Sequence, residues 1–130
     1  MPLVEIVIAL ALIELVVFAM LVGRARGKYN VPAPATTGND IFERYYRVQM
    51  NTIELLVIFI PSIMLFGKYI SQEWAAALGL VFIVGRFLFL QGYVSAPEKR
   101  GSGFILSFIP TIILLLGGLG GAAYKYLVES

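Results

Sequence analysis

The sequence predicts an all-α integral membrane protein, a bundle of four transmembrane helices that forms a single domain over residues 1–130. Hydrophobic residues make up 59% of the chain, whereas ordinary soluble domains contain about 45 to 50%, and the mean hydropathy is +0.86. Four apolar stretches are each long enough to cross about 30 Å of hydrocarbon, since a helix rises about 1.5 Å per residue. These stretches are residues 3–22, 50–66, 74–93 and 104–128.

The first predicted helix runs from Pro2 to about Arg24. Proline is tolerated in the first turn of a helix, while Gly27 and the nearby prolines of the following segment predict its end. The stretch opens with an acidic residue, Glu5, and basic residues follow it, which is not typical of a cleaved signal peptide. We therefore expect a retained transmembrane helix.

Loop residues 28–40 follow the first helix, and helix two is expected to begin at Phe42 after a turn and an N-cap. Pro61 lies inside helix two, where it removes a backbone hydrogen bond and predicts a kink. Helix three begins at Ser71 or Gln72 after a short connection, so helices two and three must form an antiparallel hairpin.

Helix four is expected to begin near Phe104, because Pro97 interrupts the chain after helix three. It contains Gly117 and Gly121, and small residues at this spacing allow two membrane helices to approach closely. We interpret them as packing residues.

Most basic residues lie around the first and third connections between helices. By the positive-inside rule these connections face the cytoplasm and both termini face away from it. Binding of anionic lipid headgroups is the alternative role for these side chains. The basic residues in the two connections are Arg24, Arg26, Lys28, Arg44, Arg47, Lys99 and Arg100.

The chain contains neither cysteine nor histidine. A disulfide framework and a thiolate metal site are therefore excluded, and zinc or haem ligation is not expected. We expect no metal cofactor and no nucleic-acid partner, and any thiol used in chemistry must come from a ligand.

A polar stripe runs along the start of helix two, at the i, i+3, i+4, i+7 spacing of one helical face. Each ionised side chain costs about 2.5 to 3.5 kcal/mol at a bilayer centre, so the stripe must face protein, water or a polar ligand. The stripe consists of Glu43, Arg44, Arg47, Asn51 and Glu54.

Two interpretations of this stripe are open. Either Arg47 pairs with Glu54 or Glu43 and only joins helices, or the stripe binds a ligand. The guanidinium of Arg47 carries several N–H groups and the amide of Asn51 adds more, beyond what the two acids need. Spare donors suit a ligand that bears carboxylates.

Glu14 in helix one and Arg86 in helix three are isolated charges within apolar segments, and we expect them to pair with each other or with neighbouring charges. Glu14 also fits the embedded acid of a small four-helix drug exporter, a minor alternative because Arg47 and Arg86 do not suit a cation pathway. Tyr93 lies about 20° from Arg86 around helix three, so its hydroxyl shares that inward face. Arg100 by itself is typical of a cytoplasmic-side cation.

Three blocks of polar residues together resemble the superfamily of membrane-associated proteins in eicosanoid and glutathione metabolism, in particular its type-two microsomal glutathione transferases and leukotriene C synthases. The resemblance extends over nearly the whole chain. The blocks are Thr37-Gly38 leading to the run from Phe42 to Glu54, then Gly85-Arg86 leading to Gln91-Gly92-Tyr93, then Lys99-Arg100 before Gly103-Phe104.

The resemblance implies a homotrimer of four-helix subunits in the membrane, with glutathione bound at each subunit interface near the cytoplasmic face. Carried over by position, the glutathione-binding residues are Arg26, Arg47, Gln49, Asn51, Glu54 and Tyr93. Glu54 would take the γ-glutamyl ammonium, and the arginines would take the carboxylates. Arg86 and Glu14 are expected to support the site, and Arg100 matches the catalytic arginine that stabilises the glutathione thiolate.

The implied chemistry is nucleophilic catalysis with a thiol that the ligand supplies. A guanidinium beside the sulfur lowers the pKa of a thiol from about 8.5, so that more thiolate forms at neutral pH. The resemblance thus implies a glutathione transferase that conjugates glutathione to lipophilic electrophiles from the bilayer, or reduces lipid hydroperoxides to alcohols.

Three positions depart from the family pattern. Phe89 stands where close relatives carry Tyr, Leu55 replaces an aromatic residue, and Gly27 stands where leukotriene synthases have a second arginine. These departures favour a broader detoxifying transferase over leukotriene synthesis. The alternative within the same fold is a non-enzymatic lipid-binding adaptor. That branch lacks the arginine at the position of Arg47 and has a shorter acid at the position of Glu54, so the presence of both residues here favours the enzyme.

Overall fold

The computed structural model describes residues 1–129, which form four long α-helices and one turn of 3-10 helix. The helices are α1 (Pro2–Tyr29), α2 (Asp40–Tyr69), α3 (Gln72–Ser95) and α4 (Gly101–Glu129), and the 3-10 turn covers Pro97–Lys99. All four helices are long and apolar enough to cross a membrane. The predicted all-α fold with four spans is thereby confirmed.

Helix α1 continues through Gly27 and ends at Tyr29, so the predicted end near Arg24 is wrong. A glycine costs a helix interior only about 1 kcal/mol, which does not stop it. The helix ends instead at Asn30, whose backbone is left-handed with φ 57° and whose N–H donates to the carbonyl of Arg26. Asparagine is one of the few residues that adopt this conformation readily.

Helices α2 and α4 both begin earlier than predicted. Helix α2 begins at Asp40 rather than Phe42, because the Asn39 side chain accepts hydrogen bonds from backbone N–H groups of the first turn. Helix α4 begins at Gly101 rather than Phe104, because the 3-10 turn leads directly into it.

The connection between α2 and α3 is as short as the sequence predicts. Helix α2 ends at Tyr69, and the Ser71 hydroxyl caps α3 by accepting from the backbone N–H of Trp74 at 3.2 Å. Pro61 lies inside α2. Helices α2 and α3 therefore form the expected antiparallel hairpin.

The core lies where α2 packs against the other three helices. Phe59 of α2 stacks on Phe82 of α3 with ring centroids 4.0 Å apart. Helix α1 adds Val4 and Ala11 to this cluster, and α4 adds Leu114. Since lipid is as apolar as these side chains, close packing rather than transfer out of water holds the helices together.

Glycines set the distance between α4 and its neighbours. A Cβ on Gly85 would lie 2.7 Å from the α4 backbone, and a Cβ on Gly103 would overlap the backbone of Phe89 in α3. Gly117 and Gly121 likewise leave no room for a Cβ against the end of α2. The predicted packing role of these two glycines is confirmed, and the tightest approach lies nearer the start of α4.

Candidate functional site

A polar cavity of about 400 Å³ lies between α2, the end of α3 and the start of α4. Five residues that the sequence predicts for the site line it, namely Arg47, Asn51, Glu54, Tyr93 and Arg100. The rest of the lining consists of Met50, Phe89, Gly101 and Phe104. We call this the inner cavity, and it gathers side chains from three separate helical segments.

An outer cavity of about 500 Å³ adjoins the inner one, because Arg47 and Tyr93 line both. Its lining consists of Thr36, Thr37, Asp40, Glu43, Arg44, Tyr46, Arg47, Tyr93 and Pro97. Every member of the polar stripe on α2 therefore lines one cavity or the other. The stripe therefore faces a polar space.

The charges of the stripe are not neutralised by one another. Within residues 1–129 the only ion pairs join the amino terminus to Glu5 at 3.5 Å and Lys125 to Glu129 at 3.8 Å. Of the two interpretations of the stripe, the one in which Arg47 pairs with Glu54 or Glu43 is therefore wrong, and both Arg47 and Glu54 are exposed. These charges are available to a ligand.

Arg86 is fully buried and binds neutral oxygens instead of a carboxylate. Its guanidinium donates to Asn51 Oδ1 at 2.7 Å, to Thr52 Oγ1 at 3.2 Å and to Ser107 Oγ at 2.5 Å. The expected ion pair with Glu14 is not formed, and the partners of the guanidinium are these oxygens of α2 and α4. Since the Asn51 oxygen accepts from Arg86, its NH₂ group is left to the cavity.

Tyr93 and Arg100 meet at the other wall of the inner cavity. The Tyr93 ring packs edge-on against Phe89 with centroids 5.5 Å apart, and the Arg100 guanidinium lies 5.6 Å from the Tyr93 centroid. One Arg100 nitrogen donates to the carbonyl of Pro97 at 2.7 Å, which leaves its other N–H groups free. The 3-10 turn thus holds a cation at the cavity mouth.

Two of the predicted glutathione-binding residues, Arg26 and Gln49, lie outside both cavities. Arg26 donates to the carbonyl of Ala35 at 2.7 Å and to that of Val31 at 3.4 Å, and it covers the Phe42 ring at 4.8 Å. It therefore holds the loop between α1 and α2. Gln49 is half-buried on α2, on a different side of the helix from the cavity residues.

Glu14 also lies away from the cavities, in the middle of α1. Its side chain is 3% exposed, and neither carboxylate oxygen has a hydrogen-bond partner among the described residues. An exporter needs its embedded acid to reach a transport pathway, and this carboxylate is enclosed by the bundle.

The sequence reasoning did not identify Met50, Phe104, Thr52 and Ser107 as part of this region. The first two line the inner cavity, and the last two hold Arg86. Ser107 follows Gly103 by four residues, so the small-residue spacing that marks close packing at the end of α4 extends to its start. That spacing could have identified Ser107, and Met50, three residues after Arg47 and four before Glu54, lies on the helical face of the stripe.

Four spanning helices define a small multi-pass membrane protein, with a cavity lined by charged side chains at one end of the bundle. The model of the MAPEG family matches residues 4–120. The chain belongs to the MAPEG family, as its polar blocks indicate.

Three relatives illustrate the range of the family around this chain. Human microsomal glutathione S-transferase 2 is 48% identical over 104 residues, which cover 79% of this chain and 71% of the relative. An uncharacterized protein of Synechocystis is 47% identical over 88% of this chain and 83% of its own length. Leukotriene C4 synthase of Cavia porcellus is 36% identical over 64% of this chain and 55% of its own.

Proposed function

We propose that this protein is a membrane-bound glutathione transferase, which activates glutathione as a thiolate and conjugates it to lipophilic electrophiles. The observation that carries the proposal is the inner cavity, where unpaired cationic, anionic and amide groups converge. The similarity to microsomal glutathione S-transferase 2 and to leukotriene C4 synthase supports the same reaction class.

Glutathione matches the cavities by charge. The tripeptide carries two carboxylates, one ammonium and two amides. Arg47 binds a carboxylate, since a guanidinium can hold it through two parallel hydrogen bonds. Glu54 binds the γ-glutamyl ammonium. The Asn51 NH₂ donates to a peptide carbonyl of the ligand, and the Tyr93 hydroxyl also donates to the peptide.

Arg100 activates the sulfur in this proposal. Its free N–H groups at the cavity mouth stabilise the thiolate over the thiol, which lowers the thiol pKa from about 8.5 toward neutral pH. The thiolate then forms a bond to the electrophilic carbon while the leaving group departs or the acceptor's π-bond takes up the electron pair. The Met50 and Phe104 side chains supply an apolar wall for the acceptor.

Lipid hydroperoxides are the second acceptor class that we propose for the same thiolate. The sulfur attacks the terminal peroxide oxygen and releases the lipid alcohol, and a second glutathione then yields the disulfide and water. Product analysis with one hydroperoxide and one electrophilic halide separates the two activities.

We further propose that three copies form the functional unit, in a multi-pass arrangement with the site near the cytoplasmic face. In the single chain Arg47 and Glu54 are exposed at the cavity, so a second copy would enclose the ligand. Arg26 and Gln49 then reach the ligand from the neighbouring subunit. The basic residues of the first and third connections support the assignment of this face.

Thiolate formation tests the proposal directly. Purified protein in detergent is mixed with glutathione at pH 7, and thiolate is followed by its ultraviolet absorbance. We expect Arg100→Ala to bind glutathione within about threefold of the unchanged protein but to lose at least about 100-fold in turnover, because a charge that stabilises developing anions contributes on that scale.

Lys99→Ala is the matched control, since Lys99 is an exposed cation on the same 3-10 turn that lines neither cavity. Its turnover should not change. If the unchanged protein binds glutathione without forming thiolate, the non-enzymatic adaptor is favoured over the transferase. Equal turnover in Arg100→Ala would remove Arg100 from its catalytic role.

A further inference from the structure

Two basic residues near the end of α1, Arg24 and Lys28, have no part in the site described above. Both are exposed in the last two turns of the helix, and neither has an acidic partner within residues 1–129. Their neighbour Arg26 is engaged differently, because it binds carbonyls of the loop that follows α1. Arg24 and Lys28 are therefore available to a further anion.

These two cations line a pocket of about 110 Å³ between the end of α1 and the start of α2, which we call the basic pocket. Tyr29 and Tyr45 also line it, and both are half-buried. A phenol can donate a hydrogen bond, and a guanidinium binds phosphate oxygens strongly. Two positive charges and two hydroxyl groups around one small pocket suit a phosphate group.

The cations belong to one face of α1 together with an apolar residue. Leu21, Arg24 and Lys28 stand at the i, i+3 and i+7 positions of a helix, and all three line the basic pocket. Leu21 lies eight residues before the end of α1 at Tyr29, or about 12 Å along the helix axis. This face thus changes from basic at the end of the bundle to apolar deeper in the membrane.

A groove of about 550 Å³ adjoins the basic pocket, because Leu21 and Tyr45 line both. We call it the lateral groove, and its other lining residues come from the last turns of α3. Leu90 lies deeper in the bundle than Ser95, the residue at which α3 ends. Among the described residues, no acid lines either space. The α3 residues of the groove are Leu90, Gln91, Val94 and Ser95.

We propose that the basic pocket and the lateral groove form one binding site for an anionic phospholipid. The phosphate lies between Arg24 and Lys28, and an acyl chain lies against Leu21 and Leu90. A soluble anion would occupy the basic pocket alone, whereas the adjoining apolar surface fits the chain of a lipid that the bilayer supplies. The site shares no residue with the inner or outer cavity, so the inference does not depend on the proposed reaction.

Lipid binding to the full chain in detergent tests the proposal, with native mass spectrometry as the readout. The unchanged protein should bind dioleoyl phosphatidylglycerol at least about tenfold more tightly than dioleoyl phosphatidylcholine. The double substitution Arg24→Gln with Lys28→Gln should weaken phosphatidylglycerol binding by about 30-fold, equivalent to about 2 kcal/mol. Each basic residue near a membrane surface contributes about half of that figure, so the preference for the anionic lipid should disappear.

The matched control is Lys68→Gln with Lys99→Gln, which removes the same net charge from exposed positions that line neither space. Its affinity for both lipids should stay within about threefold of that of the unchanged protein. An equal loss of phosphatidylglycerol binding in this control would mean that net charge attracts the lipid and that the basic pocket does not.

Two further measurements separate the lipid from other occupants of the same face. Glycerol 3-phosphate carries a phosphate without acyl chains, so it should not displace phosphatidylglycerol from the unchanged protein at millimolar concentration. Displacement would assign the basic pocket to a soluble anion and overturn the lipid site. Native mass spectrometry also gives the number of copies, and a change in that number in Arg24→Gln with Lys28→Gln would make this face a contact between subunits instead.

Discussion

The polar side chains of the inner cavity carry charges or hydrogen-bonding groups that lipid would not satisfy. Arg47 and Glu54 carry opposite charges on one face of α2 but do not pair with each other, and Asn51 between them is oriented by Arg86. A pair that remains open in this way can bind a zwitterionic ligand by both ends. Charge selection by single residues is therefore testable.

Glu54 is expected to recognise the γ-glutamyl ammonium. We predict that Glu54→Gln weakens glutathione binding by about 10- to 100-fold, since charge-assisted hydrogen bonds contribute about 1.5 to 3 kcal/mol. A glutathione analogue without the α-amino group should bind Glu54→Gln and the unchanged protein with nearly the same affinity. Titration calorimetry of both proteins with both ligands gives the four dissociation constants.

Glu98→Gln serves as the control for this prediction, because Glu98 is an exposed acid near the site that lines neither cavity. It should leave both affinities unchanged. If Glu54→Gln lost affinity equally for glutathione and for its analogue, Glu54 would maintain the shape of the cavity and would not bind the ammonium.

The sequence predicts the members of the site better than their contacts. Helical spacing is sufficient to align the α2 stripe. The rotation of about 100° per residue along α3 places Tyr93 on the same face as Arg86. The spacing does not reveal which oxygens surround a guanidinium, so the neutral partners of Arg86 could not be foreseen. Arg26 contacts the loop that begins at Asn30. The left-handed backbone of Asn30, where α1 ends, is not indicated by any periodicity.

At the scale of the elements, the helices were predictable, whereas the end of α1 and the starts of α2 and α4 were not. Apolar length identifies four spans, but the ends depend on single caps such as Asn39, and on the 3-10 turn that merges with α4. Arg100 directly follows that turn. The position of the 3-10 turn relative to α3 depends on the close approach of α3 and α4, so helix packing is linked to the proposed role of Arg100.

Gly103 tests this link. We predict that Gly103→Ala destabilises the protein by about 1 to 3 kcal/mol, the usual cost of forcing extra atoms into a packed interior, and lowers turnover as Arg100 moves away from the cavity. A Cβ at this position overlaps the backbone of Phe89, which cannot move aside as a flexible side chain can. Thermal unfolding in detergent and glutathione turnover measure the two effects.

Gly120→Ala is the matched control in the same helix, because a Cβ there has no neighbouring atom within 4 Å. Helix propensity favours alanine over glycine by up to about 1 kcal/mol, so this variant should be as stable as the unchanged protein or more so. A Gly103→Ala protein with unchanged stability and turnover would contradict the packing role.

At the scale of the whole molecule, large apolar side chains cover the outside of the bundle. Met20 is 68% exposed, Val57 69% and Leu116 59%. Such a surface suits lipid and neighbouring subunits, since a soluble monomer rarely exposes continuous apolar patches. The two polar cavities interrupt this surface, and in the proposed assembly another copy covers their open side.

Subunit complementation tests whether neighbouring copies share a site. In a closed ring of three copies, every interface is the same. In the proposed assembly, Arg26 and Gln49 serve a site whose Arg47 belongs to the adjacent subunit. The substitutions Gln49→Ala and Arg47→Ala then affect the same site from two different subunits. We expect each variant alone to have low turnover. Co-expression at equal levels should restore about one quarter of the normal activity, because random assembly leaves that share of interfaces with both residues intact.

The control for complementation is co-expression of Arg47→Ala with Asn51→Ala, which line the same cavity within one chain. Because the site draws both residues from one subunit, every site in the mixture lacks one of them and no activity should return. Two affinity tags allow purification of mixed assemblies, and native mass spectrometry gives the number of copies. Restored activity in this control pair would mean that the cavity seen in one chain is itself divided between subunits, whereas failure of the Gln49 pair would confine the site to a single chain.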